Sequence, residues 1–217
     1  TNTNYRGRTM FTYASGVNEK GWALVFSAGK RYANEGYFDG TSYDANSIFA
    51  SIEKQLTKRN SINFTAFFTP NSRGKNSPNT DEVTALTSLH YNSYWGFQNG
   101  KQRNSRIKTV EEPVFMLNDY FKINAATQLN LGVLYQFGKI GNSAIDYQNT
   151  NSPIPSHYQK MPSYFSSLYA KDEGEFSGAF TPDLPNAALS KSLFLAQPQM
   201  DWEALYKANQ IPIVNAY

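Results

Sequence analysis

Hydrophobic and polar residues alternate with a period of two along six stretches of this chain, and each stretch predicts a β-strand. From Arg8 to Ser15, Thr9, Phe11 and Tyr13 share one face. Trp22, Leu24, Phe26 and Ala28 then face one way, and Ala23, Val25, Ser27, Gly29 and Arg31 the other. Ile48, Ala50 and Ile52 oppose Ser47, Ser51 and Glu53, with Phe49 interrupting the polar side. The clearest strand sets Ile62, Phe64, Ala66 and Phe68 against Asn63, Thr65 and Thr69. Two more follow: Phe115, Leu117, Phe121 and Ile123 against Met116, Asn118, Tyr120 and Lys122, then Leu129, Leu131, Val133, Tyr135 and Phe137 against Asn130, Gly132, Gln136 and Gly138.

The connections between these strands are unequal. Short turns, Gly16 to Gly21, Thr57 to Asn60 and Asn124 to Gln128, follow the first, third and fifth. Longer connections follow the second, fourth and sixth, and the last two run to about 40 and about 75 residues, well beyond ordinary loops. Short turns at one end and long loops at the other are the signature of a transmembrane β-barrel. The expected fold class is therefore all-β: an antiparallel meander of about six transmembrane strands over 1–140, with short periplasmic turns. A long extracellular loop region is expected over 141–217, with short helical pieces such as Pro198 to Ala208. A soluble β-sandwich with one buried face alternates in the same way, so the loop asymmetry is what favours the barrel.

Composition narrows the class further. Only 17% of the 217 residues are charged, against about 25% in ordinary soluble domains. Aromatics reach 15%, yet the mean hydropathy is −0.55, so uncharged groups carry the polarity. That mixture excludes a disordered chain and a helical bundle. No apolar run approaches the roughly 20 residues of a membrane helix. The chain opens at Thr1 without a charged-then-apolar leader, so no signal peptide is expected within it.

A net charge of +3 with mostly scattered basic residues gives no reason to expect a nucleic-acid partner. No cysteine is present, and the two histidines, His90 and His157, lie far apart, so neither a zinc site nor a Ser-His-Asp triad is expected. The acidic runs at Asp39 to Asp44 and at Asp172, Glu173 and Glu175 lack calcium-loop spacing. Glu111 and Glu112 precede Pro113 at a strand start, where solvation is the expected role. No catalytic residue, metal site or cofactor is read from the sequence, and the chain is not expected to be an enzyme.

Several short motifs, in order, carry a resemblance: Tyr5 to Arg8, Gly21 to Ala23, Glu35 to Tyr37, Pro70 to Lys75, Trp95 to Lys101, Glu112 to Asn118, Tyr135 to Lys139 and Gln199 to Trp202. Together they resemble the early barrel strands of a TonB-dependent outer-membrane receptor, of the long-loop branch with a carboxypeptidase-regulatory-like N-terminal domain. The resemblance implies a 22-stranded barrel, a plug inside it, and energised uptake of a bulky nutrient across the outer membrane of a Gram-negative bacterium. It also implies that Arg8 to Ser15 descends and Trp22 to Tyr32 ascends through the membrane. This chain is accordingly read as a fragment, partnered by outer-membrane lipid, by the remaining barrel strands and plug, by TonB through an N-terminal region it does not contain, and by a surface lipoprotein.

The residues expected to face lipid are Trp22, Leu24, Phe26, Ile62, Phe64, Phe68, Leu129, Leu131, Val133 and Phe137. Asn63, Thr65, Asn130, Gly132 and Gln136 are expected to face the lumen. Tyr91, Tyr94, Trp95 and Phe97, on the first very long loop, are candidates to stack on a ligand, or to pack that loop. Lys101, Arg103, Arg106 and Lys108 either attract an anionic ligand or lipopolysaccharide phosphates, or form a solvated loop face. Two other functions stay open: a soluble secreted β-sandwich module binding glycans, and a barrel that mainly scaffolds a surface complex.

Overall fold

A computed structural model describes residues 6–147, 151–167 and 182–210. Its architecture is mostly antiparallel β-sheet with few helices. The strands are β1 (Gly7–Val17), β2 (Trp22–Ala33), β3 (Tyr43–Thr57), β4 (Asn60–Phe68), β5 (Asn71–Gly74), β6 (Trp95–Gln98), β7 (Lys101–Asn104), β8 (Ile107–Glu111), β9 (Val114–Lys122), β10 (Gln128–Gln136) and β11 (Lys139–Asn142). The α-helices are α1 (Asp81–Leu86), α2 (Pro162–Ser166), α3 (Leu184–Ala196) and α4 (Trp202–Gln210). The chain forms two compact units, each gathered from separate segments.

The first unit is a nine-stranded antiparallel sheet. β1 pairs with β2 and β2 with β3, and the far side of β3 carries β4 and β5 end to end. β9 and β8 flank these in turn, followed by β10 and β11. Each end-to-end pair is one run of chain briefly interrupted. Pro70 and Pro113 lie in two of the interruptions and lack the N–H a ladder needs. Gly138 lies in the third with φ of 138°, and a Cβ there would come within 2.0 Å of the Glu111 carbonyl oxygen.

Alternation therefore underestimated the reach of the sheet. β5 and the first half of β8 fall in the stretch expected to be loop from Pro70 to Thr109, and β11 reaches Asn142. Pairing uses backbone groups alone, so a strand continues where the side-chain pattern has already ended. The three short turns join β1 to β2, β3 to β4 and β9 to β10 at one end of the sheet, and the long connections start from the other. The first turn is held by Asn18, whose Oδ1 accepts from the Lys20 and Trp22 amides at 3.0 Å. The sheet is not closed: among the described residues, the outer edges of β1, β10 and β11 have no strand beside them.

The second unit gathers Tyr37–Thr41, Lys75–Arg106 and Ala144–Tyr217. Its small core is Val83, Tyr91, Met161 and Phe194, with Leu86 against it. Two buried asparagines tie its segments together through main-chain groups. Asn92 accepts from the Ser77 and Tyr94 amides and donates to the Asp39 and Lys75 carbonyls. Asn104 donates to the carbonyls of Gly40 and Lys75, each at 2.9 Å. α4 lies where a helical piece was expected, whereas α3 was not read from the sequence. α3 carries exposed Leu184, Leu189, Leu193 and Leu195 as well as buried Ala187 and Phe194, so no single apolar stripe marks it.

Candidate functional site

The register of the sheet sorts its side chains into two unlike faces, because directly paired residues point the same way. On one face, Leu24, Ile52, Phe64, Leu117 and Val133 form a row from β2 to β10. The next row is Tyr13, Phe26, Ala50, Ala66, Phe115 and Tyr135, and Phe11, Ala28, Ile48 and Phe68 begin another. Phe64 and Phe137 stack on Phe115 from either side, with ring centres 6.3 and 6.1 Å away. No charged residue interrupts these rows.

Charge appears on that face only at its two limits. Towards the short turns, the row is Trp22, Lys54, Ile62, Asp119 and Leu131. Lys54 bends to that end: its ammonium lies 4.8 Å from the Trp22 ring centre and donates to the Lys20 carbonyl at 2.6 Å. Towards the long connections, Lys30 pairs with Asp44 at 2.6 Å and Lys139 with Glu111 at 3.1 Å. Along β2, Trp22 and Lys30 are eight residues apart, which is about 26 Å of strand.

The apolar face is open. All ten residues expected to face lipid lie on it: Trp22, Leu24, Phe26, Ile62, Phe64, Leu129, Leu131, Val133 and Phe137 are exposed, and Phe68 is half-buried. Val133 retains 70% of its accessible surface and Leu131 57%. The opposite face is mixed: Phe49, Phe67, Met116 and Leu134 stand among its hydroxyls and amides, and several of its polar groups bond one another. Thr12 and Ser27 hydroxyls meet at 2.9 Å, as do those of Ser51 and Thr65, and Asn63 donates to Ser51 at 2.9 Å. Thr65, only 7% exposed, belongs to this network, while Asn130, Gly132 and Gln136 on the same face are exposed because β10 is an outer strand. Between Glu53, Gln55, Ser61, Tyr120, Lys122 and Gln128 this polar face holds a hollow of about 190 Å³.

In the second unit the candidate ligand residues separate. Tyr91 is a core residue: its hydroxyl donates to the Pro198 carbonyl at 2.6 Å, and burial raises its pKa well above the ordinary phenol value. That burial removes it from any ligand-stacking surface. Trp95 packs on Gly40, whose φ of 69° and 2.0 Å Cβ clearance from the indole admit no side chain. Phe97 is exposed and meets Trp95 edge-on at 5.4 Å. Lys101 is exposed on β7.

Nor do the four basic residues converge. The Arg106 guanidinium lies 5.5 Å from the half-buried Tyr94 ring, and Lys108 belongs to β8 of the first unit. The Arg103 guanidinium covers the Trp202 ring at 4.2 Å, donates to the Tyr206 hydroxyl at 2.8 Å and reaches Gln98. Trp202 Nε1 donates back to the Arg103 carbonyl at 3.1 Å. The hydrogen bond from Arg103, then that with Gln98 and the Arg103 charge, holds the Tyr206 phenol below its ordinary value. Trp202 and Tyr206 were read only as a helical piece, since residues 99 and 103 positions away in sequence give no local signal.

A cleft of about 450 Å³, a size suited to small ligands, opens between the chain around Pro153 and Pro155 and the α3 residues Leu189, Leu193 and Phe194. Lys160 lines it, and partial burial lowers its pKa. Alternation had nothing to say about this cleft. The acidic run Asp172, Glu173 and Glu175 lies outside the described residues. Compared with known proteins, the chain matches no family model, no curated protein and no solved structure.

Proposed function

We propose that the sheet is a wall segment of a larger outer-membrane β-barrel, with lipid on its apolar face. One observation carries the reading: the exposed face is apolar between two charged limits, while the opposite face mixes apolar residues with a hydrogen-bonded set of hydroxyls and amides around Thr12, Ser27, Ser51, Asn63 and Thr65. A soluble sandwich buries its apolar face against a second sheet, and here that face is uncovered. Some 26 Å of strand, tilted as barrel strands are, covers about 20 Å of membrane depth. The bare outer edges fit the same reading, since backbone groups in hydrocarbon need a strand on each side and the rest of a barrel supplies them.

Loop asymmetry and the ordered motifs from Tyr5 to Trp202 support a TonB-dependent receptor in particular. In that setting the wall, with a plug and TonB, serves uptake of a bulky nutrient, and a surface lipoprotein is a partner for the long connections. The Phe97, Arg103 and Tyr206 surface is the place for a first ligand contact, because it keeps aromatic and cationic groups accessible.

The test is depth-resolved quenching on the chain within the longer protein that supplies its edge partners, reconstituted into vesicles whose acyl chains carry bromine. With Trp22, Trp95 and Trp202 replaced by phenylalanine, a single tryptophan placed at Leu24 or Val133 is expected to be strongly quenched, and one at Asn130 or Gln136 is not. Equal quenching on the two faces, or none on either, removes the lipid assignment.

A further inference from the structure

On the polar face, at the end where the long connections begin, the register sets like charges directly against each other. Arg8 of β1 pairs with Arg31 of β2, and Arg73 of β5 pairs with Lys108 of β8. Both pairs share that face. Arg8 and Arg31 are each four residues from the bonded Thr12 and Ser27. Arg73 is paired with Tyr43, two residues along β3 from Ala45, the partner of Arg31. Small or neutral residues separate the two pairs, because Arg31 neighbours Ala45 and Ala45 neighbours Asn71.

Directly opposed like charges destabilise a sheet. The sheet's own ion pairs, Lys30–Asp44 and Lys139–Glu111, spend their carboxylates on the other face. Among the described residues no carboxylate pairs with Arg8, Arg31, Arg73 or Lys108, and the Arg8 guanidinium meets the Met10 sulfur at 3.6 Å. Arg8, Arg31 and Arg73 are exposed, so their guanidiniums are open to a solute.

We propose that Arg8, Arg31, Arg73 and Lys108 form a binding site for a multivalent oxyanion, a solute carrying at least two phosphate or carboxylate groups. Each like-charge pair takes one anionic group, with arginine supplying two parallel N–H donors to it. Two strand spacings and two residues of offset put Arg31 and Arg73, the facing members of the two pairs, about 12 Å apart along the backbone surface. The bound anion supplies the missing counter-charge, so this part of the sheet is more stable loaded than empty. The site rests on the polarity and register of one face, and stands whether or not lipid covers the other.

Tripolyphosphate is a suitable probe, titrated calorimetrically into the whole chain at low and at high salt, with orthophosphate for comparison. Tripolyphosphate is expected to bind, more weakly as salt rises, and orthophosphate much less tightly because it engages one pair. Arg31→Gln and Arg73→Gln should each weaken tripolyphosphate binding about tenfold, the scale of one lost charge-assisted contact. Lys58→Gln, at the short-turn end, should leave it unchanged. Without anion and at low salt, Arg31→Gln and Arg73→Gln should melt higher than the parent, because each relieves a repulsion. A structural role for these arginines gives the opposite sign. Undetectable binding, equal weakening by Lys58→Gln, or lower melting of both arginine variants in the absence of anion overturns the proposal.

Discussion

Val133 and Asn130 lie three residues apart on β10, both exposed, and differ in the face they occupy. If lipid covers the apolar face, Val133→Arg costs about 2–4 kcal/mol and Asn130→Arg far less. Urea unfolding of both variants in vesicles reads the difference directly, and equal losses would contradict a lipid-facing side. A second position depends on close approach. A Cβ on Gly96 would lie 1.9 Å from the Met200 carbonyl oxygen, and the Met200 amide is bound to the Trp95 carbonyl at 2.9 Å. Backbone cannot swing aside as a flexible side chain does. Gly96→Ala should therefore destabilise the second unit by about 1–3 kcal/mol, seen as a lower thermal midpoint in the near-ultraviolet circular dichroism of its packed aromatics. An unchanged midpoint would mean that the Met200 segment is not held there.

At the scale of elements, the hairpin of β6 and β7 and the helix α4 meet through Arg103, Trp202 and Tyr206. Arg103 lowers the Tyr206 pKa, so folding favours the phenolate. The sign follows: this contribution is present above the unfolded tyrosine value near 10 and is lost as pH falls through the lower folded value. Arg103→Gln should move the Tyr206 titration back up, measured as the phenolate absorbance difference against Tyr206→Phe. No movement would show that Arg103 does not hold the phenol in solution. The same scale explains what alternation missed. β5 and β8 are short continuations at the charged rows, and four or five residues are too few for a period of two to stand out.

For the whole molecule, the open sheet has unequal strands. β3 and β4 are paired on both sides, whereas β1 and β10 each have one outer edge free of a described partner. Native-state hydrogen exchange of the chain on its own should show slow β3 and β4 amides and fast amides along the outer edges of β1 and β10. If the sheet is a wall segment of a larger barrel, reconstitution with the remaining strands should slow those edge amides to the level of β3. Uniform protection in the isolated chain would mean that the edges already pair, through a second copy or within the chain.

Six amphipathic strands, their three short turns and the apolar identity of one face were legible in the sequence, because a period of two is a local property. The all-β class follows from that pattern, and so does the division of Leu24, Phe64 and Val133 from Asn63, Thr65 and Asn130. Tertiary structure decided what local periodicity cannot carry. It left the apolar face uncovered, a matter of what packs where, which alternation leaves open. It buried Tyr91 in a core, and joined Arg103 to Trp202 and Tyr206 across about a hundred residues. It also set Arg8 against Arg31 and Arg73 against Lys108, since register belongs to a pair of strands and is fixed only when both are in place.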